Sequence, residues 1–320
     1  MYGKKACLIG TIRLFIWIVT LASVTSFIPS IKYNYWLLEI NANLAGYYLF
    51  AHIFAAVFLL FILNLKKLFI IQLFLIAANA YPVYPYYFFQ PEAKKESRQL
   101  SAQKIRLLYL NLKDGRQNQI TVKNLIVEQT ADIVALVQMD NFWKARLELE
   151  EIYPHFYEVL REDEFGLGVY SKLAFNQNVL ENLGEGLPPV FVNELKVDEN
   201  RSISFALLHA LPPLSSNALE MNTLLLRRLS PLVRFHAQPV IVAGDFNAGP
   251  FSSFYKKFKE WTDMENIFYG FGLFRTWDAR YFFLRFSIDH IFYKNLSVIK
   301  AERLKNSGLA HYPLILDIGM

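Results

Sequence analysis

The sequence predicts an α/β (α+β) protein in which two β-sheets flanked by helices follow three transmembrane helices. Three observations predict it. The first 91 residues hold three apolar stretches, each long enough to cross roughly 30 Å of hydrocarbon as a helix. Beyond them, apolar runs of strand length recur in pairs with no helical segment between, a pattern of two covered sheets rather than of a simple doubly wound one. One run, residues 240–244, lies between Pro239 and Asp245-Phe246-Asn247: a buried strand whose C-terminal end carries an acid and an amide two residues apart.

The apolar stretches cover about 8–28, 44–63 and 68–89, and the last two are uncharged. Residues 1–91 carry six basic residues (Lys4, Lys5, Arg13, Lys32, Lys66, Lys67) against one acid, Glu39, so the whole excess of +5 lies there. Lys4, Lys5 and Arg13 lie at the start of the first span and Lys66-Lys67 separate the second from the third, whereas the 29–43 connection holds Lys32 alone. The positive-inside bias then predicts a multi-pass protein of the inner (plasma) membrane, with a cytoplasmic N-terminus and an extracytoplasmic C-terminal domain. Trp36, Tyr47, Tyr48, Tyr81, Tyr84, Tyr86 and Tyr87 sit where interfacial aromatic belts form. His52, in mid-span, is either a functional group or a histidine packed between helices. The single cysteine, Cys7, excludes an intrachain disulfide.

Residues 92–103 are charged and poor in apolar residues, a linker between the membrane domain (1–91) and a second domain (104–320). In that second domain the pattern predicts strands at 105–112, 132–138, 156–161, 167–171, 190–197 and 202–210. Helices are expected at 118–130, 141–152, 216–235 and 252–261, and further strands at 239–244, 288–293, 297–303 and 311–318. Its charge is balanced, which disfavours nucleic acid as a partner.

Side chains suited to metal or phosphate chemistry recur at the ends of these strands: Asn111, Gln138, His209, Asp245 with Asn247, Asp289 with His290, and His311. Singly, each has a structural reading as a turn cap, a core histidine or a surface residue. Together they carry a resemblance. The runs LLYLNL, ADIVALVQ, GLGVYSK, LLHALPP, VIVAGDFNAGPFSSFY, RTW, SIDHIFY and GLAHYPLILDI, spread over 104–319, resemble the endonuclease/exonuclease/phosphatase family, the DNase I-like phosphoesterases. The resemblance implies a four-layer sandwich and a membrane-anchored bacterial branch of that family. It further implies a metal-dependent hydrolysis of a phosphodiester or phosphomonoester, with a phospholipid head group or small phosphoester as substrate. In that scheme Asp245 orients or deprotonates the attacking water, and Asn247 and His209 hold the phosphate. Asp289 supports His311 at a phosphate oxygen, and Asn111 lies on the side of an Mg²⁺ or Mn²⁺ ion.

The sequence departs from the family twice. Gln138 stands where the family has its metal-binding Glu, and in Leu309-Ala310-His311 an alanine, Ala310, replaces the Asp of a Ser-Asp-His triplet. Both changes remove a negative oxygen from the metal side, so Gln138 is a degenerate metal ligand. Asp140 or Glu128 is the candidate replacement carboxylate. The alternative function is a catalytically weakened member that binds a phosphorylated or lipid ligand; a transporter-like role has only the three spans behind it.

Overall fold

The computed structural model describes residues 2–28, 35–61, 66–88, 104–176, 179–234 and 238–319. The expected linker 92–103, Lys32, and the last residues of the second and third apolar stretches lie outside the described residues.

Two helices, α1 (Tyr2–Thr25) and α4 (Lys66–Phe88), are long and apolar enough to cross a membrane. The middle stretch departs from expectation. A short helix α2 (Trp36–Ala42) meets α3 (Ala45–Phe61) at a 60° bend, and α3, at 17 residues, qualifies as a span only together with α2. The bend frees polar side chains of α2 and its C-cap for partners on two sides. Asn41 Nδ2 donates to Ala22 O of α1 (2.9 Å), the Ser253 hydroxyl donates to Glu39 (3.3 Å), and Asn43 Oδ1 accepts from Gly249 N (2.6 Å). Gly249 is required for that last approach, because a Cβ there would stand 2.4 Å from Asn43 Oδ1. His52 of α3 donates from Nδ1 to Gln72 Oε1 of α4 (2.7 Å), and Gln72 in turn donates to Thr20 of α1 (3.4 Å). His52 therefore belongs to a buried polar chain that ties three helices together.

Two six-stranded sheets follow. The first is ordered β11 (Ser297–Arg303), β12 (Leu314–Gly319), β1 (Lys104–Asn111), β2 (Ile133–Val137), β4 (Leu167–Ser171), β3 (His155–Val159). The second is ordered β5 (Ala174–Phe175), β6 (Val190–Lys196), β7 (Ser202–His209), β8 (Val240–Asp245), β10 (Asp289–Lys294), β9 (Glu265–Asn266). Among the described residues only β1–β2 and β7–β8 pair in parallel.

Strand alternation decides the layers. Leu107, Tyr109, Ile133, Ala135, Phe205, Leu207, Ile241, Ala243 and Ile291 point between the sheets and form one core. Their neighbours point outward. Leu108, Leu110 and Val134 pack under α5 (Gln119–Gln129) and α6 (Asn141–Leu147); Ala206, Val242 and Phe292 pack under α7 (Ser216–Arg234) and α8 (Ser253–Thr262). The result is helix, sheet, sheet, helix: the four layers of a DNase I-like fold.

Most bounds agree with the sequence reading to within two residues; two differ by more, and two short strands were not expected. The helix expected over 141–152 stops at Leu147, where Glu148 turns left-handed and a single 3₁₀ turn follows. The strand expected at 311–318 begins at Leu314, since Pro313 has no N–H to give a ladder. The two-residue strands β5 and β9 carry too little pattern to be read from sequence.

Candidate active site

Period-two alternation places the site. Tyr109 and Asn111 continue the inward face of β1, His209 that of β7, Asp245 that of β8, and Asp289 starts that of β10. Register then lines them up: His209 pairs with Asp245 in the parallel ladder, and Asp245 pairs with Asp289 in the antiparallel one. Asp289 opens its strand rather than ending it, because antiparallel pairing brings the start of β10 to the end of β8. Three ionisable groups thus stand in a row on neighbouring strands of the second sheet, and Asn111 faces them from the first.

The contacts are short and buried. Asn111 Nδ2 donates to Asp245 Oδ2 (3.0 Å), and Asn111 Oδ1 accepts from Lys113 N (3.1 Å). Asp245 Oδ1 accepts from Asn247 N (2.8 Å). Asn247 adopts φ 49° and donates its Nδ2 to Ala210 O (2.7 Å), which anchors it beside the acid. His311 Nδ1 donates to Asp289 Oδ2 (2.7 Å), whose other oxygen accepts from Tyr109 OH (2.8 Å). His209 Nδ1 meets Glu164 O at 2.8 Å; a carbonyl only accepts, so Nδ1 carries the proton. Its Nε2 stands 3.6 Å from Asp245 Oδ2.

Burial sets the charges. Burial, followed by the charge of Asp289, pushes Asp245 up to about 7. Burial also opposes ionisation of Asp289, but the charge and hydrogen bond of His311 outweigh it and hold that carboxyl below its ordinary value. Burial likewise disfavours the His311 cation, yet the charge and hydrogen bond of Asp289 raise its pKa. Asp289 and His311 are therefore an ion pair, while burial pushes His209 down to about 4 and keeps it neutral.

Asp245, Asn247, His209 and His311 border a cavity of about 440 Å³, with Asp289, Tyr109 and Asn111 behind them. Its walls include Lys113, Gln138, Glu164, Trp277 and Phe286, and also Ile40 and Asn43 from the α2 region. Trp277 spans the site, bridging backbone to both Phe286 and His311. Sequence reasoning missed Lys113, Glu164, Trp277 and Tyr109 as site residues. Tyr109 had a signal, its two-residue spacing from Asn111; Lys113 and Glu164 lie in loops and had none.

His290 leaves the constellation. It points to the opposite face of β10, where Nε2 meets Ala248 O (2.7 Å) and Nδ1 meets Asn266 Nδ2 (3.2 Å) among Phe246, Tyr255 and Phe268. Gln138 does reach the cavity wall, in a left-handed conformation (φ 63°) that a non-glycine residue adopts at a cost. The expected replacement carboxylates do not reach the site. Asp140 caps α6 through Trp143 N (2.8 Å) and pairs with Arg116 (2.5 Å), and Glu128 is exposed on α5, beyond the outer face of the sheet. Ala310 is fully buried, its N–H on Lys113 O (2.9 Å). Glu164 borders the cavity with its carboxylate 3.4 Å from Lys113.

For a metal, the available donors are oxygen-rich and buried. Asp245, Asp289 and His311 offer ligand atoms all within 4.8 Å of one another. His311, cationic against Asp289, has no lone pair to give, so the donors are the two buried carboxylates, the second lone pair of Asn111 Oδ1 beside Lys113 N, and the amide of Gln138 at the cavity wall. This donor set fits a hard divalent cation, with fewer charges than two further carboxylates would give.

Residues 109–309 match the model of the Endonuclease/Exonuclease/phosphatase family. Among solved structures, humanized D. rerio TDP2 aligns at 12% identity with a TM-score of 0.58, over 68% of this chain and 99% of that one. The human Nocturnin catalytic domain aligns at 17% identity and TM-score 0.54, over 69% and 96%. The Bacteroides thetaiotaomicron mannosyl-6-phosphatase aligns at 15% identity and TM-score 0.51, over 68% and 100%. At these identities the likeness is one of fold. No curated protein matches the sequence.

Proposed function

The chain belongs to the endonuclease/exonuclease/phosphatase family, and from that membership we propose that it is a membrane-anchored, metal-dependent hydrolase of phosphoester bonds acting at the Asp245 cavity. The observation that carries this reading is the row His209, Asp245, Asp289 with His311 bonded to its end.

Asn111, Gln138 and the acid side of the cavity would hold Mg²⁺ or Mn²⁺, which when bound neutralises charge on the phosphoryl oxygens. The protein's own groups do the rest. Asp245, pushed up to about 7, has the proton affinity of a general base and accepts a proton from water. Neutral His209 offers its Nε2 lone pair on the same side, 3.6 Å from Asp245 Oδ2, and steadies that proton or the water's second hydrogen. His311, kept cationic by Asp289, presents its remaining N–H to a phosphoryl oxygen, and Asn247 and Lys113 flank the same oxygens. The 1–91 segment anchors the 104–320 domain, and the basic flanks favour an extracytoplasmic site. The balanced charge of the domain favours a phospholipid head group or a small phosphoester over nucleic acid.

The test is hydrolysis of a generic phosphodiester and phosphomonoester by the full chain in detergent, with Mg²⁺ or Mn²⁺. Asp245→Ala should abolish turnover; activity insensitive to that change overturns the assignment. A second reading has its own observation: Gln138 and buried Ala310 leave the metal side without the two carboxylates. Calorimetric binding of the same phosphoester with no turnover at any metal concentration would favour a binding module.

A further inference from the structure

A second cavity, of about 650 Å³, lies where the domain meets the membrane helices and shares no lining residue with the Asp245 cavity. Phe50 of α3 and Tyr87 of α4 form one wall, and Arg275, Arg285 and Arg303 another. All three arginines are half-buried. Arg275 stacks on the Tyr47 ring (4.8 Å) and reaches the first turn of α3, its Nη2 3.8 Å from where a Cβ on Gly46 would be. Arg303 and Arg285 both stack on Tyr312, at 4.0 and 5.1 Å.

Among the described residues none of the three forms an ion pair with a carboxylate. Arg303 donates to Arg275 O (2.7 Å) and Arg285 to Tyr281 O (2.5 Å). The one acid on the wall, Glu302, is held by Lys300 at 2.5 Å. Burial makes the charge on Arg303 harder to hold, Tyr312 partly offsets this, and the like charges of Arg285 and Arg275 add to it. Three crowded cations around a cavity call for an anion, and planar guanidinium groups suit phosphate.

The setting selects the source of that phosphate. The Tyr47 hydroxyl donates to Arg285 O and accepts from Arg285 N, both at 2.6 Å, which pins the 281–285 loop to the start of α3. From that loop Phe282 and Phe283 project 88% and 75% exposed, beside exposed Phe50 and Tyr87. Aromatic side chains around a basic cavity at the end of apolar helices match the interfacial zone of a bilayer.

We propose that Arg275, Arg285 and Arg303 form a binding site for the phosphate of an anionic phospholipid, which fastens the domain against the membrane surface. This lipid is not a substrate, so the site stands or falls independently of hydrolysis at Asp245.

The test uses the full chain in detergent, given an equimolar mixture of phosphatidylglycerol and phosphatidylcholine and examined by native mass spectrometry. The chain should retain phosphatidylglycerol about tenfold over phosphatidylcholine. The triple variant Arg275→Gln, Arg285→Gln, Arg303→Gln should lose that preference, and Arg201→Gln, on an exposed turn, should keep it. Equal retention of the two lipids overturns the proposal. So does displacement of the lipid by millimolar inorganic phosphate, which would mark a free-phosphate site. If the triple variant fails to fold, Arg303→Lys and Arg303→Gln decide: the lysine should retain the lipid and the glutamine release it, and identical behaviour overturns the proposal.

Discussion

His209 Nε2 and Asp245 Oδ2 face each other across 3.6 Å, and because His209 Nδ1 spends its proton on the Glu164 carbonyl, both facing atoms are acceptors. Asn111 Nδ2, at 3.0 Å, is the one side-chain donor hydrogen-bonded to that oxygen among the described residues. A proton, a water or a cation resolves the conflict, and burial, followed by the charge of Asp289, already pushes the pKa of Asp245 up to about 7.

Without metal, this acid should make stability fall with rising pH. A carboxyl whose folded-state pKa lies above its unfolded value binds a proton more tightly when folded, so its penalty grows from about pH 4 to about pH 7. In EDTA, Asp245→Asn should remove that slope and stabilise the full chain by about 2–4 kcal/mol at pH 8, with little effect near pH 4. Thermal unfolding of both chains across pH 4–8 checks it, and parallel curves would contradict the assignment.

Breaking the ion pair should work in the other direction. Asp289 is fully buried and held by His311 and Tyr109, so Asp289→Asn leaves an imidazole and a phenol without their anion. The expected loss is about 3–5 kcal/mol of stability. The pair His311⁺–Asp289⁻ stabilises above the ordinary carboxylate pKa and up to the raised pKa of His311. The loss should therefore be largest near pH 5–6 in denaturant titrations and shrink toward both extremes.

Restoring a carboxylate on the metal side should raise metal affinity. Gln138 already lines the cavity, and Glu occupies nearly the same volume. Gln138→Glu should tighten Mn²⁺ binding by about 10–100-fold in calorimetry, the range associated with intact supporting ligands, and raise turnover with it. No change in either would mean that Gln138 is not on the metal side.

The junction of α2 with the domain should be sensitive to one methyl group. Gly249→Ala places a Cβ 2.4 Å from Asn43 Oδ1, which must then retreat and give up its bond to the Gly249 N–H. About 1–3 kcal/mol should be lost. In an Asn43→Ala background the same substitution should cost much less, as a double-mutant cycle of unfolding in detergent would reveal.

Much of the site was legible because its cause is local. The strand at 240–245 is apolar throughout, Asp245 ends it, and Asn247 follows at a spacing that lets its N–H bond the acid. Asn111 and His209 likewise close strands whose alternation shows in the sequence. His290 beside Asp289 could not be assigned from sequence because adjacent strand residues face opposite ways, and only pairing says which face is buried between the sheets. The bend between α2 and α3 escaped for a similar reason: hydropathy measures one apolar run and does not register polar side chains drawn out by partners such as Gly249.

By itself the sequence determined the apolar helices, the strand periodicity, the family motifs and the loss of charge at Gln138 and Ala310, since each is written within a few consecutive residues. Only the tertiary structure decided that Asp140 and Glu128 cannot replace the lost carboxylate, that Lys113 and Glu164 border the cavity, and that three arginines with no carboxylate partner among the described residues gather beside the membrane helices. Those facts depend on which surfaces meet. Asp140 is spent on a helix cap and on Arg116, while Arg275, Arg285 and Arg303 come from separate segments that share a cavity only once the sheets have paired and packed against α3 and α4.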